Sequence, residues 1–276
     1  MEVLFTVTAT KKTSPEWALI LGASSGMGAA TALELARGGM NVFGVHLDLR
    51  STLPNAHRVI AEIEGLGRQA VFFNTNAADP AKRAATVQAI REKIDRDGSD
   101  GYIRVLMHSL AFGTLLPFVA GTPKEAVSQR QLEMTLDVMA NSLVYWTQDL
   151  MAANLMREGS RIFAMTSSGS TRVIKNYGPV SAAKAALESY IRQLAFELAP
   201  RGITANAIRA GITDTPAMRK IPGIQPLFQL TQQRNPSGRA TTVEDVAKAI
   251  AALSAPGTTW MTGNVIGVDG GEEITV

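Results

Sequence analysis

Tyr177 stands seven residues ahead of Lys184 in the stretch Asn176-Tyr-Gly-Pro-Val-Ser-Ala-Ala-Lys184. Seven residues close almost two turns of an α-helix, so both side chains lie on nearly the same face. A phenol beside an ammonium can act as an acid. The cation favours phenolate over phenol and so lowers the tyrosine pKa, which lets the hydroxyl polarise a substrate oxygen as negative charge builds there. The same spacing equally describes a solvated helix face, so the chemistry depends on what holds the pair. Pro179 suits a first helical turn and puts Tyr177 at or just before the helix start, with Gly178 easing the turn.

The elements around the pair follow a rhythm. Short apolar runs at residues 17–21, 42–45, 70–73, 105–107, 161–165, 204–208 and 265–268 read as buried strands. Helical patterns lie between them at 27–37, 56–66, 81–95, 124–157, 179–199 and 243–253. Alternation of this kind predicts an α/β fold: a single Rossmann-type doubly wound parallel sheet of about seven strands, helices on both faces. No Pro-, Gly- or Ser-rich linker divides residues 17–276, so one domain is expected. Residues 1–16 precede the first strand as an extension that could be an edge strand, an arm or a leader.

Composition removes several function classes. The chain has 276 residues, 46% hydrophobic and 18% charged, with a formal net charge of +3. That charge is too small and dispersed to argue for nucleic acid. There is no cysteine, which excludes disulfides, thiolate catalysis and cysteine-zinc sites and suits a reducing compartment. The three histidines, His46, His57 and His108, lack ligand spacing, so no metal is expected. No apolar stretch is long enough for a membrane helix, no secretory pattern opens the chain, and the cytoplasm is the default location.

The first strand runs into Leu21-Gly-Ala-Ser-Ser-Gly-Met-Gly28 and then a helix. Glycines there allow a tight turn and close backbone approach, so that free N–H groups at the helix start can hold a pyrophosphate. Alone the pattern is only a glycine-rich loop; after a first strand in an alternating chain it reads as a dinucleotide site.

With this loop, Asn76-Ala77, the turn after the fourth strand, the Tyr/Lys helix, Ala205-Asn-Ala-Ile208 and Val268-Asp-Gly-Gly271, the chain resembles the short-chain dehydrogenases/reductases across residues 16–272. It departs from the common family pattern in three places. Tyrosine usually stands four residues before lysine, where this chain has Val180; His108-Ser109-Leu110-Ala111-Phe112 replaces the usual Asn-Asn-Ala-Gly; and Asp137 stands in place of the active-site asparagine. All three departures resemble the enoyl-acyl-carrier-protein reductases of fatty-acid synthesis. The retained Gly22, Gly26 and Gly28, with Ser167-Ser-Gly-Ser-Thr-Arg-Val-Ile-Lys-Asn-Tyr177 and Asn235-Pro-Ser-Gly-Arg239, look most like the third bacterial type.

The resemblance implies roles. Tyr177 and Lys184 would be catalytic, Ser167 stands where the common family has its catalytic serine, and Asp137 is a further catalytic candidate. Gly22, Ser24, Ser25, Gly26, Met27 and Gly28 would cradle the cofactor pyrophosphate. His46, Arg50, Asn76 and Ala77 would meet its adenosine half, with a simple strand cap as the other reading of Asn76. Ser109, Leu110, Ala111, Lys184, Gly211, Thr213 and Thr215 would line the nicotinamide half. His46 is not the acidic residue that often ends the second strand in NAD users, and Arg50 could pair a 2′-phosphate; this tilts the expectation to NADPH, while Asp48 keeps NADH open. A homotetramer is implied, and the thioester would be carried on acyl carrier protein or coenzyme A.

Chemistry explains a displaced tyrosine. Ketone reduction puts charge on the oxygen of the carbon that receives hydride, whereas an enoyl thioester takes hydride at C3 and develops charge on the more distant thioester oxygen. Moving the acid from position 180 to 177 shifts its origin by roughly 4 to 5 Å at the helical rise. Residues 216–234, with Met218, Ile221, Ile224, Leu227, Phe228 and Leu230, suit a lid over an acyl chain, or else core packing or a subunit contact. Phe112, Tyr145, Trp146 and Met165 read as core. A carbonyl, hydroxysteroid or 3-oxoacyl reductase and a noncatalytic NAD(P)-binding regulator stand as alternatives to enoyl reduction.

Overall fold

Seven apolar runs become seven parallel strands. The computed structural model describes residues 14–98 and 100–275. The strands are β1 Glu16–Leu21, β2 Asn41–His46, β3 Ala70–Asn74, β4 Tyr102–His108, β5 Arg161–Thr166, β6 Thr204–Ala210 and β7 Val265–Val268. They form one sheet in the order β3-β2-β1-β4-β5-β6-β7. The order reverses between β1 and β4, which opens a crevice beyond the carboxyl ends of these strands.

The helices are α1 Gly26–Arg37, α2 Leu53–Gly65, α3 Pro80–Arg96, α4 Gln129–Leu136, α5 Ser142–Ala152, α6 Gly178–Leu198, α7 Ile224–Arg234 and α8 Val243–Leu253. Alternate strand residues serve opposite faces. Trp17, Leu19 and Leu21 join side chains of α3, α5 and α6 in one core, while Ala18 and Ile20 join those of α1, α2 and α8 in the other. Burial on both faces explains why the strands are continuously apolar rather than alternating. No helix among the described residues is long and apolar enough to cross a membrane.

Two expectations need correction. Residues 124–157 are not one helix: the chain enters α4 only at Ser128, whose side chain and that of Gln131 form a reciprocal cap, and a π-helical turn at Asp137–Asn141 separates α4 from α5. The far end stops at Ala153 and Asn154, the latter at φ 53°. Within the expected extension, Glu16 belongs to β1 opposite Tyr102, and Ser14 Oγ donates to Asp100 at 2.6 Å. Expectations for residues 1–13 lie outside the described residues.

His108 ties β4 to the π turn. It ends β4 fully buried, with Nε2 2.9 Å from Ser142 Oγ, while Ser142 Oγ donates to Val138 O at 2.8 Å. A serine whose proton is committed to a carbonyl accepts from the imidazole, which places the ring hydrogen on Nε2. Burial, and then the nearby Lys184 charge, push the imidazole pKa down to about 3, with the carbonyls of His108 and Val138 pulling the other way. The ring is therefore neutral in the folded state.

This neutrality has a stability signature. The unfolded histidine takes its proton near its ordinary pKa of 6.5, well above the folded value. The contribution is complete above that pH and is lost as pH falls toward 3, at roughly 1.4 kcal/mol per pH unit. Denaturant unfolding of wild type and His108→Gln between pH 7 and pH 4 should show the wild type losing more stability by about that slope. Parallel pH curves for the two proteins would show that His108 is not held neutral.

Candidate active site

The glycine loop shapes the crevice floor. Gly22 sits at φ 95°, and a Cβ there would stand 2.5 Å from Ser109 O, so only glycine lets the loops after β1 and β4 meet. A Cβ on Gly28 would collide with the Gly22 carbonyl. Ser25 caps α1 through its backbone without a side-chain bond to the helix, and no acidic residue occupies the first turn. The first N–H groups of α1 thus face the crevice with a positive helix end behind them, which fits an anionic pyrophosphate. Thr215 closes the other side, with Cγ2 3.5 Å from the Cβ position of Gly26. Thr213 pairs across an isolated bridge with Thr241, and Gly211 is walled by Thr241, Glu272 and Asp269, so this loop is rigidly seated.

At the end of β2 the structure selects Asp48. Its carboxylate lies 2.8 Å from His46 Nδ1, with the Thr52 and Ser24 hydroxyls beside it. Burial alone would raise this carboxyl, but the bonds from Thr52, Ser24 and His46 and the His46 charge hold it below its ordinary value. A negative charge is thereby joined to the phosphate loop through Ser24. Arg50 lies exposed beyond it. Asn76 Oδ1 accepts from Ala78 N at 3.0 Å, capping the turn into α3, and buried Ala77 receives the Trp146 indole at 2.9 Å. Both have structural duties at the place where adenosine contacts were expected.

Tyr177 is the N-cap residue of α6, preceded by Asn176 at φ 61°. Its ring lies on Gly169, where a Cβ would meet it at 2.7 Å, and its hydroxyl is hydrogen-bonded to Ser167. Ser167 Oγ already accepts from Gly169 N at 3.1 Å, so its proton is free to point at the phenol oxygen. That leaves the phenol proton for a substrate oxygen.

The electrostatics differ from the sequence-based expectation. Burial holds the Tyr177 phenol above its ordinary pKa, and the Ser167 bond opposes this without reversing it. Lys184 does not lower it: the ammonium donates to Met165 O at 2.6 Å, at the end of β5. Burial brings Lys184 down to about 8, with Glu188 acting in the opposite direction. Glu188 is itself held by Thr166 Oγ1 at 2.6 Å.

Asp137 belongs to a turn that packs against α6. It opens the π turn and hydrogen-bonds Tyr145, whose phenol is raised by burial and then by the Asp137 charge. Asn141, at the other end of the turn, accepts from Tyr190 on α6 at 2.9 Å. The vacated family position is filled. Val180 is 4% exposed, and its Cγ2 stands 2.9 Å from a Cβ position on Gly113, whose other neighbours are Met139 and Thr135. Trp146 and Met165 are core as expected, but Phe112 is 60% exposed because the loop after β4 turns it outward. Ala111 beside it is exposed too, while Leu110 lies 3.6 Å from the Gly22 Cβ position. Within 216–234, Met218 and Ile224 are buried and Leu230 is 40% exposed.

Several working contacts had no signal in local sequence. Gly113 against Val180 and Ser142 on His108 each join residues from different elements. Only Asp48 with Ser24 could have been found, from a carboxylate just past β2 facing the first loop.

A family model described as Enoyl-(Acyl carrier protein) reductase matches residues 22–273. A 1-cyclohexenylcarbonyl-CoA reductase of Streptomyces collinus is 30% identical over 259 residues, 93% of this chain and 86% of the relative. The crystal structure of an enoyl-[acyl-carrier-protein] reductase (NADH) from Aquifex aeolicus matches with a TM-score of 0.80 at 25% identity, over 95% of this chain and 97% of that one. A Burkholderia cenocepacia short chain dehydrogenase in complex with NADP matches at a TM-score of 0.76 and 29% identity, over 93% and 97%. With its parallel sheet, glycine cradle and buried tyrosine and lysine, the chain belongs to the short-chain dehydrogenase/reductase family, in the group described by the enoyl-(acyl carrier protein) reductase model.

Proposed function

We propose that the protein reduces the trans-2 double bond of an enoyl thioester carried on acyl carrier protein or coenzyme A. The glycine cradle and the start of α1 would hold a reduced nicotinamide cofactor, which would supply the hydride needed at C3. Tyr177 donates a hydrogen bond to the thioester oxygen as enolate charge develops there, and Ser167 orients that donor. Lys184, anchored at Met165 O, places a positive charge beneath the site. The enolate collapses as it takes up a proton from water at C2, which reforms the thioester carbonyl.

The observation that carries this reading is the packing at Val180. A ketone reductase needs its acid there, yet Gly113 and Met139 close that space, and Tyr177, the buried N-cap residue of α6, stands three residues earlier. A phenol held above its ordinary pKa also suits this chemistry. Ketone reduction ends with a proton on oxygen, whereas an enolate needs only a strong hydrogen bond until it collapses. The Streptomyces relative, named for an enoyl thioester substrate, supports the same class.

Cofactor oxidation with a crotonyl thioester should greatly exceed that with the acetoacetyl analogue. Tyr177→Phe should lower kcat on the enoyl substrate by roughly a hundredfold or more, the cost of losing one oxyanion donor. Preferential turnover of acetoacetyl thioester would return the protein to carbonyl reduction, and an undiminished Tyr177→Phe rate would remove Tyr177 from the reaction.

The Asp48 carboxylate bears on the cofactor. An ionised group tied to Ser24 repels a 2′-phosphate and accepts from a 2′-hydroxyl, so NADH is favoured over the NADPH suggested by Arg50 alone. At equal concentration NADH should give the higher kcat/KM, and Asp48→Asn should narrow the preference by about tenfold. A wild-type preference for NADPH would show that Arg50 outweighs the carboxylate.

A further inference from the structure

The loop from β4 to α4 leaves Ser109 at the cofactor cradle and crosses the start of α6. It is pinned where Thr114 N donates to Thr135 Oγ1 at 3.0 Å and where Val127 N donates to Pro117 O at 2.9 Å. Leu115 packs on the core. Phe118 does not: its ring lies over Gly178, 2.7 to 3.2 Å from the Cβ position of that residue, and remains 56% exposed. Gly178 directly follows Tyr177 in the chain. An aromatic ring with one open face thus stands beside the hydrogen-bond donor, on a loop whose flanks are held in place.

With its thioester oxygen on Tyr177, a substrate whose acyl chain ran along the start of α6 would meet the Phe118 ring. An apolar chain there removes the open face of Phe118 from water together with its own surface. Gly178 is what admits the ring, since a side chain at that position would push it away.

We propose that Phe118 is a specificity-determining residue that packs against the acyl chain beyond C3. The proposal rests on the enoyl-thioester reading, and it makes the β4–α4 loop a determinant of acyl preference separate from residues 216–234. Phe118 acts on binding of the tail, not on the reacting atoms.

The test measures kcat and KM for trans-2-enoyl thioesters from crotonyl to decenoyl, each on coenzyme A and on pantetheine. It uses wild type, Phe118→Ala, Phe118→Leu and Gly178→Ala. Phe118→Ala should keep crotonyl kcat within about twofold and lose about tenfold in kcat/KM on decenoyl substrates, through KM. Phe118→Leu should fall between, and Gly178→Ala should shift the profile the same way by displacing the ring. An unchanged chain-length profile, or a loss that follows the carrier instead of the chain, overturns the proposal. Calorimetric binding of saturated decanoyl thioester separates it from the reaction reading. Weaker binding by Phe118→Ala in an enzyme inactive on enoyl substrates would uphold Phe118 and sink enoyl reduction, whereas equal binding by an active enzyme would sink Phe118 alone.

Discussion

A buried ammonium organises the carboxyl end of this sheet. Lys184 lies on α6 with almost no exposure and donates to Met165 O, which joins the helix to the last turn of β5. Burying that charge is costly, and the structure answers with Glu188 one helical turn along and with a carbonyl at 2.6 Å. The same charge acts on His108. Burial first, and then the repulsion of this neighbouring cation, keep the imidazole neutral, and it bonds Ser142. That bond ends β4 against the π turn, and the π turn in turn offers Asn141 to Tyr190 on α6. One lysine therefore fixes strand, turn and helix together.

Within that frame the position of the phenol is decided by packing. Gly113 brings the loop after β4 onto Val180, Met139 and Thr135, and no larger residue fits between them. Tyr177, three residues earlier, sits outside this plug at the mouth of the helix, its ring resting on Gly169. A loop glycine and a helix valine thus select which substrate oxygen a hydroxyl can reach. Ser167 completes the arrangement by spending its acceptor on Gly169 N–H, which leaves its own proton for the phenol.

The strands and the Tyr/Lys helix were legible in sequence because both rest on local rules. Runs such as Ala18 to Leu21 are buried on two faces and must be apolar throughout, and Pro179 marks a helix start wherever it lies in the first turn. The break between α4 and α5 was not legible. A π turn keeps helical periodicity nearly intact, and the force that holds it, Ser142 on His108, comes from a residue 34 positions away. The neighbour of Asp137 is equally hidden in the sequence: Tyr145 follows it on the same helical stretch, yet only the π turn decides that the carboxylate faces that phenol. Phe112 looked like core by type, but the loop that packs Gly113 inward turns its neighbour out.

The tyrosine pKa is the most instructive departure. Spacing along a helix suggests that phenol and ammonium act on one another, but spacing says nothing about where a flexible lysine ends. Here the ammonium is drawn to the Met165 carbonyl, the phenol is buried, and desolvation outweighs the Ser167 bond. A phenol kept neutral in this way retains its proton and can offer it as a hydrogen bond to a developing oxyanion. In the proposed reaction the oxygen is only a temporary holder of charge, because the carbonyl reforms when C2 is protonated. A buried, neutral Tyr177 therefore acts in the proposed reaction as a hydrogen-bond donor to charge that returns to carbon.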